Sequence, residues 1–163
     1  MPAIVRELAF GSETYKKSLE LRERVLRVPQ WQRLSDADLA GEDAQIHLAA
    51  FETDATDDAA DDDASREVSN RGPLVGCVVL KPLGDGVVKL RQMAVEPSRQ
   101  RQGIGRTLVA HALDVAREAG FDEMMMDARV SAEAFYRSLG FASEGERYEL
   151  IGVAHIRMRQ LLR

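Results

Sequence analysis

Between residues 87 and 128 the periodicity of the chain switches twice, and the switch leaves few folds open. Val87–Val95 is an extended apolar run closed by Pro97. Leu108, Val109, Ala112, Leu113 and Ala116 then recur at helical spacing, and Glu123–Ala128 is extended again. A strand–helix–strand unit implies a parallel strand pair joined by a right-handed crossover. Its first connection therefore lies at the carboxyl ends of both strands. That connection is Arg99-Gln100-Arg101-Gln102-Gly103-Ile104-Gly105-Arg106-Thr107. The first amides of a helix lack intrahelical partners, and the helix dipole favours an anion beside them by up to ~2 kcal/mol. Gly103 and Gly105 let the backbone approach that anion, while Arg101 and Arg106 add positive charge. The stretch is suited to a phosphorylated cofactor.

Two common phosphate loops do not fit. A Walker loop needs four residues between its glycines and a lysine after the second, but Gly105 is followed by Arg106-Thr107. A dinucleotide fingerprint needs a third glycine where Leu108 stands. The pattern that fits is Gln/Arg-x-x-Gly-x-Gly/Ala, here Gln100 to Gly105. Met93-Ala94-Val95-Glu96-Pro97 precedes it, and Ala132-x-x-Phe135-Tyr136-x-x-x-Gly140-Phe141 follows. In these three blocks, which span about half the chain, the sequence resembles the GNAT superfamily of N-acetyltransferases. The resemblance implies an α/β (α+β) fold: a mixed, mostly antiparallel sheet of six to seven strands, a central parallel pair, and about four helices on both faces.

The remaining elements read in that order. Ile4–Phe10 is a strand. Glu13–Leu26 is a helix with Leu19, Val25 and Leu26 toward the core. Ser35-Asp36 starts a short helix within Trp31–Leu39, and Gln45–Phe51 is a second strand. Leu74–Pro82 and Val87–Val95 form a hairpin about Gly84-Asp85-Gly86. Gly105–Ala119 is the cofactor helix, ended by Gly120. Ser131 is placed to cap a helix over Ala132–Leu139, and strands Ser143–Leu150 and Ala154–Leu161 turn near Gly152. One domain over residues 1–163 is expected.

Charge is partitioned along the chain. The formal net charge is −5, yet residues 52–63 hold seven acids and no base; without them 20 acids face 22 bases. Residues 53–71 read as a flexible acidic loop without the glycine and spacing of a calcium loop, so no metal site is expected. No basic stripe interleaved with aromatics points to nucleic acid. No apolar run reaches the ~20 residues of a membrane span and no leader pattern opens the sequence, so the default expectation is a cytoplasmic location away from membranes. Cys77, within Val75–Leu80, reads as a buried thiol; an apolar strand raises a thiol's pKa, which argues against covalent relay.

The resemblance implies acetyl-CoA as co-substrate and a primary amine of a small molecule or peptide as acceptor, by direct transfer. It implies that Met93, Ala94 and Val95 present main-chain groups to the pantetheine arm, as an added strand does. Their side chains belong to the core. It assigns Arg101, Gln102, Gly103, Ile104, Gly105 and Arg106 to the diphosphate with Thr107 nearby, and Phe135 to packing against the arm. Arg99 reads as surface charge. Tyr136 is the candidate general acid, since a phenol is neutral at pH 7; the competing reading is a core aromatic. The base is more open. His155 is a candidate, with a structural imidazole as its rival, and Glu42 and His47 are secondary candidates. His111 reads as surface. Asp127, Ala128 and Arg129 are expected to line the cleft, with the cofactor's phosphates within reach of Arg129. Arg22, Arg24, Arg27, Trp31, Gln32 and Arg33 lie where the superfamily shapes acceptor access; they suit an acidic or carboxylate-bearing amine, and equally the solvated face of a helix, so no substrate is named. Homodimers are common in the superfamily, so a homodimer is an open expectation. A non-catalytic acyl-CoA-binding module is the rival function, and it alone has no need of Tyr136.

Overall fold

The computed structural model describes residues 3–53 and 72–163; apart from Thr53, the acidic stretch 53–71 lies outside them. Seven strands form one sheet: β1 (Ala3–Leu8), β2 (Ile46–Glu52), β3 (Leu74–Gly84), β4 (Val87–Val95), β5 (Glu123–Arg129), β6 (Ala142–Leu150) and β7 (Val153–Leu161). Their spatial order is β1-β2-β3-β4-β5-β7-β6. Every neighbouring pair is antiparallel except β4 and β5. The helices are α1 (Glu13–Arg22), α2 (Asp36–Leu39), α3 (Ile104–Glu118) and α4 (Glu133–Ser138). The mixed sheet with its single parallel pair is the architecture expected from the sequence.

The β3–β4 hairpin closes through Asp85 (φ 54°) and Gly86 (φ 77°), two left-handed residues whose twist matches that of the flanking strands. The central helix α3 buries Ile104, Leu108, Val109, Ala112, Leu113 and Ala116 in one cluster with Val88, Leu90, Met124, Met126 and Ala128 of the parallel strands. Gly120 (φ 86°) ends it: its amide donates to the Arg117 carbonyl and that of Phe121 to the Ala116 carbonyl, both at 3.0 Å. This is the bonding of a Schellman stop. Gly76 fixes how close α3 comes to β3, because a Cβ there would lie 2.8 Å from Leu108 Cδ1 and 3.2 Å from Ile104 Cγ2. The first turn of α3 is thereby held against the end of β4.

Three local expectations are corrected. The helix expected over Glu13–Leu26 stops at Arg22 and widens into a π-helical turn over Glu23–Arg27. Its buried face is Tyr15, Ser18, Leu21 and Arg22, whereas Leu19, Val25 and Leu26 stay half-buried. Apolar periodicity misses a face whose polar members are satisfied from elsewhere in the fold. Ser131 does not cap α4; it lies in a 3-10 turn over Val130–Ala132, and α4 starts without a side-chain cap. By contrast Ser35 caps α2, in a reciprocal box with Asp38. No helix of the described residues is long and apolar enough to cross a membrane.

Candidate active site

The parallel pair defines the site by where it fails. β4 and β5 are in register only from Val87↔Glu123 to Lys89↔Met125, and beyond that they part. The cause lies on the other edge of β4. Opposite β3, Cys77 pairs with Ala94 but Val79 with Arg91, so β4 carries an extra residue between them. Gln92 takes up the distortion at φ 48°, an unfavourable value for a residue with a side chain. It is held there by Arg22, whose Nε donates to Gln92 Oε1 at 2.7 Å.

A buried polar network stands behind that bulge. Arg22 and Glu42 are both fully buried and paired, with Arg22 Nη1 donating to Glu42 Oε1 at 2.9 Å. Arg91 Nη1 donates to Glu42 Oε2 at 2.8 Å, and the Tyr15 hydroxyl donates to Oε1 at 2.7 Å. Burial alone would raise the Glu42 carboxyl, but the hydrogen bonds from Arg22, Arg91 and Tyr15 outweigh it and hold it down at about 2. A carboxylate so acidic and so enclosed is a poor proton acceptor, which removes Glu42 as a base. His47 is also buried behind the site, its Nε2 2.7 Å from the Glu42 carbonyl and its ring edge-on to Tyr15. Sequence reasoning read Arg22 as an acceptor-facing residue and missed this network. A charged pair separated by twenty residues gives no local signal of burial.

Between the parted strands lies a cleft of about 890 Å³, walled by β4, the glycine turn, the end of β5, α4 and the β6–β7 hairpin. At one end Arg101 (φ 63°) and Gly103 (φ 84°) turn the backbone into α3. The first bond back into that turn is from the Thr107 amide to the Gly103 carbonyl at 3.0 Å, so among the described residues the Ile104, Gly105 and Arg106 amides find no main-chain acceptor. Gly103 offers no capping side chain either. Arg101 and Arg106 line this end, and neither pairs with a carboxylate among the described residues; Arg106 Nη2 donates to Ser138 Oγ at 3.2 Å. Gly105 faces Phe135, Met93 and Val95, whose side chains would lie 3.4–3.9 Å from a Cβ built there.

Not every expected residue is in this wall. Met93, Ala94 and Val95 line the cleft, as do Gly103, Ile104 and Phe135. Gln102 and Thr107 are not among the lining residues: Gln102 Nε2 turns to the Ser98 carbonyl and Thr107 Oγ1 to the Gly103 carbonyl. Arg99 borders the cleft but is tied to Glu52 at 3.0 Å.

Tyr136, Asp127, Arg129 and His155 also line the cleft. The Tyr136 ring is buried edge-on to Phe135 and Phe141, and among the described residues its hydroxyl has no hydrogen-bond partner. Burial pushes that phenol up to about 12, with Arg129 opposing the rise. His155 Nδ1 lies 2.7 Å from the Val153 carbonyl. A carbonyl only accepts, so Nδ1 carries the proton and Nε2 of the neutral ring is left with a free lone pair. Its ring stacks on Tyr148. Asp127 is engaged by Lys89 at 2.8 Å and by the Tyr148 hydroxyl; burial acts to raise its carboxyl, and these two bonds hold it below its ordinary value.

Of the six residues expected near the acceptor, only Arg27 lines the cleft, and it is paired with Asp38 at 2.7 Å. Arg24 pairs with Glu96 at 2.7 Å, and Trp31 is 98% exposed. Cys77 is buried, and desolvation pushes its thiol up to about 12.

Residues 25–141 match the Acetyltransferase (GNAT) family. A curated relative, N-acetyltransferase family 8 member 3 of Rattus norvegicus, is 34% identical over 85 residues, covering 47% of this chain and 37% of the relative. The chain thus spans well under two thirds of that relative's length. Among solved structures, Escherichia coli ElaA superposes with a TM-score of 0.73 at 21% identity, covering 98% of this chain and 99% of its own. An acyl-CoA N-acyltransferase from Pseudomonas aeruginosa gives 0.72 at 22%, covering 98% of each chain. These two likenesses speak to the fold, and the match over residues 25–141 speaks to descent: the chain belongs to the Acetyltransferase (GNAT) family.

Proposed function

We propose that the protein transfers an acetyl group from acetyl-CoA directly to a primary amine. One observation carries the reading. A single cleft joins a cup of main-chain donors, two arginines and a phenol, none of which has a main-chain acceptor, a carboxylate or a hydrogen-bond partner, respectively, among the described residues. The residues present fit acetyl-CoA, because amides without an acceptor and a glycine position suit a diphosphate, and among the described residues the β5-facing edge of β4 beyond Lys89 has no strand neighbour. Bound there, acetyl-CoA would supply an activated acyl thioester.

The chain's own residues divide the rest of the work. The amides of Ile104, Gly105 and Arg106, with Arg101 and Arg106, hold the diphosphate. The Met93–Val95 backbone and Phe135 hold the arm. His155 Nε2 accepts the proton released by the attacking amine, and the Tyr136 hydroxyl donates to the departing sulfur. A thiol of pKa about 8.5 is already a tolerable leaving group, and a phenol raised to about 12 is the weaker acid of the two. Tyr136 therefore acts as a fixed hydrogen-bond donor more than as a source of a fully transferred proton. Most of the rate comes from placing the amine against the carbonyl.

Tyr136→Phe is expected to lower kcat by about 10²-fold and to leave the acetyl-CoA Kd within a factor of about two, because the ring keeps its packing against Phe135 and Phe141. Free-thiol release with a pooled amine panel and calorimetry with acetyl-CoA read the two quantities. Tight acetyl-CoA binding with no turnover on any amine would turn the reading to a non-catalytic acyl-CoA-binding module.

A further inference from the structure

The cations in the cleft are not equally compensated. Lys89 pairs with Asp127, Arg91 with Glu42, Arg27 with Asp38 and Arg99 with Glu52. Three lining arginines have no carboxylate partner among the described residues. Arg101 and Arg106 belong to the glycine turn, where the proposed diphosphate answers their charge. The third, Arg129, belongs to the opposite side of the sheet. Strand alternation sends Met124, Met126 and Ala128 of β5 into the cluster formed with α3, and so sends Asp127 and Arg129 to the face that carries α1 and its π-helical turn. The contact agrees: Arg129 Nη2 donates to the Leu26 carbonyl at 3.3 Å.

That neutral carbonyl is the only polar partner this half-buried guanidinium has among the described residues. Burial and the neighbouring Arg27 cation both push it below its ordinary value. A buried cation without a counter-ion costs stability and is retained where an anion completes it. A guanidinium is a planar fork matched to a two-oxygen anion, and one face of this fork remains after the bond to Leu26. The position also suits an acceptor, since Arg129 influences the Tyr136 phenol and pairs across the ladder with His155.

We infer that Arg129 is the acceptor-recognition residue, and that the preferred acceptor is a primary amine that also bears a carboxylate. The inference rests on the acetyltransferase reading and narrows its substrate class. The carboxylate seats on the Arg129 fork, and this leaves the amine pointing toward His155 and Tyr136.

The test uses α- and ω-amino acids, each paired with its own carboxamide, assayed with acetyl-CoA by free-thiol release. At least one amino acid is expected to exceed its carboxamide in kcat/KM by about 10- to 100-fold, the discrimination of a charge-assisted bidentate contact. In Arg129→Gln that ratio falls to about one, with the loss on the carboxylate member and carried by KM. Arg129→Lys restores part of it. Calorimetry of the same probes into CoA-saturated protein gives a readout independent of turnover. If amino acids bind there and their carboxamides do not, while no amine is acetylated, the enzymatic reading falls and the carboxylate subsite stands. Equal use and equal binding of both members by the wild type overturns the inference. So does an Arg129→Gln variant that loses acetyl-CoA affinity and treats both members alike, which would give Arg129 to the cofactor.

Discussion

Gly105→Glu is expected to abolish the thermal stabilisation that the proposed function predicts acetyl-CoA to give the wild-type protein. A ligand that binds only the native state at about 100 times its Kd adds about 2.7 kcal/mol. For a chain of this size that corresponds to a rise in Tm of about 5–10 °C. The variant removes it by two routes. Its Cβ is tolerated, because Phe135 Cζ, Met93 Cε and Val95 Cγ2 would lie at 3.4, 3.7 and 3.9 Å. The remaining side chain must then enter the cleft, and its carboxylate sets a negative charge beside the free amides of the first helical turn. Gly105→Ala is the control, since it adds only the tolerated Cβ at a position of ordinary helical φ. Its Tm shift with acetyl-CoA stays near that of the wild type. Differential scanning fluorimetry with and without acetyl-CoA reads both variants, and a full shift in Gly105→Glu would place the diphosphate elsewhere.

Glu42→Ala is expected to lower the stability of the protein sharply. It leaves Arg22 fully buried with its carboxylate partner gone, removes the acceptor of the Tyr15 hydroxyl, and leaves Arg91 with Gln45 Oε1 and the Asp38 carbonyl but no carboxylate. Breaking a buried pair from one side costs about 3–5 kcal/mol, a large part of the ~5–15 kcal/mol that holds a domain together. The matching fall in Tm is about 6–20 °C. Acid acts on the same groups. Glu42 and Asp38 titrate at about 2 in the folded protein, below their ordinary values of 4.5 and 3.8. A depressed folded pKa means that the stability is fully present above the ordinary carboxylate range and is lost as pH falls toward 2. Wild-type denaturant midpoints should therefore drop between about pH 4.5 and pH 2, and Glu42→Ala should flatten that slope. An unchanged acid profile in the variant would mean that the network does not carry this stability.

The contrast between the two residues shows what the sequence could reveal. Gly105 acts through backbone freedom next to a helix start, and both are written locally: a glycine, a preceding strand and a following 3.6-residue period. The parallel pair, the glycine turn and the α3 stop were legible for that reason. The network of Arg22, Glu42, Arg91 and Gln92 is assembled from three separate segments. Its members look like surface polar residues in any local window, so Arg22 was read as facing the acceptor and Glu42 as a secondary candidate base. The bulge at Gln92 was illegible as well, since nothing in Leu90-Arg91-Gln92-Met93 announces a left-handed residue. Arg129 sits between these cases. The strand end placed it beside the cleft, but its lack of a counter-ion is a property of the folded neighbourhood.

The order of the strands has a consequence for how the protein is made. β7 is the last strand in sequence, yet it lies between β5 and β6 and is in register with β5 from Glu123 to Arg129. A nascent chain arrested before Val153 would leave that whole rim of β5 open to other extended segments. It would also lack His155 and the wall that His155 provides. Until β7 has docked, the edge of β5 from Glu123 to Arg129 keeps its main-chain donors and acceptors unpaired, so the centre of the sheet is sealed by a strand made after both of its neighbours.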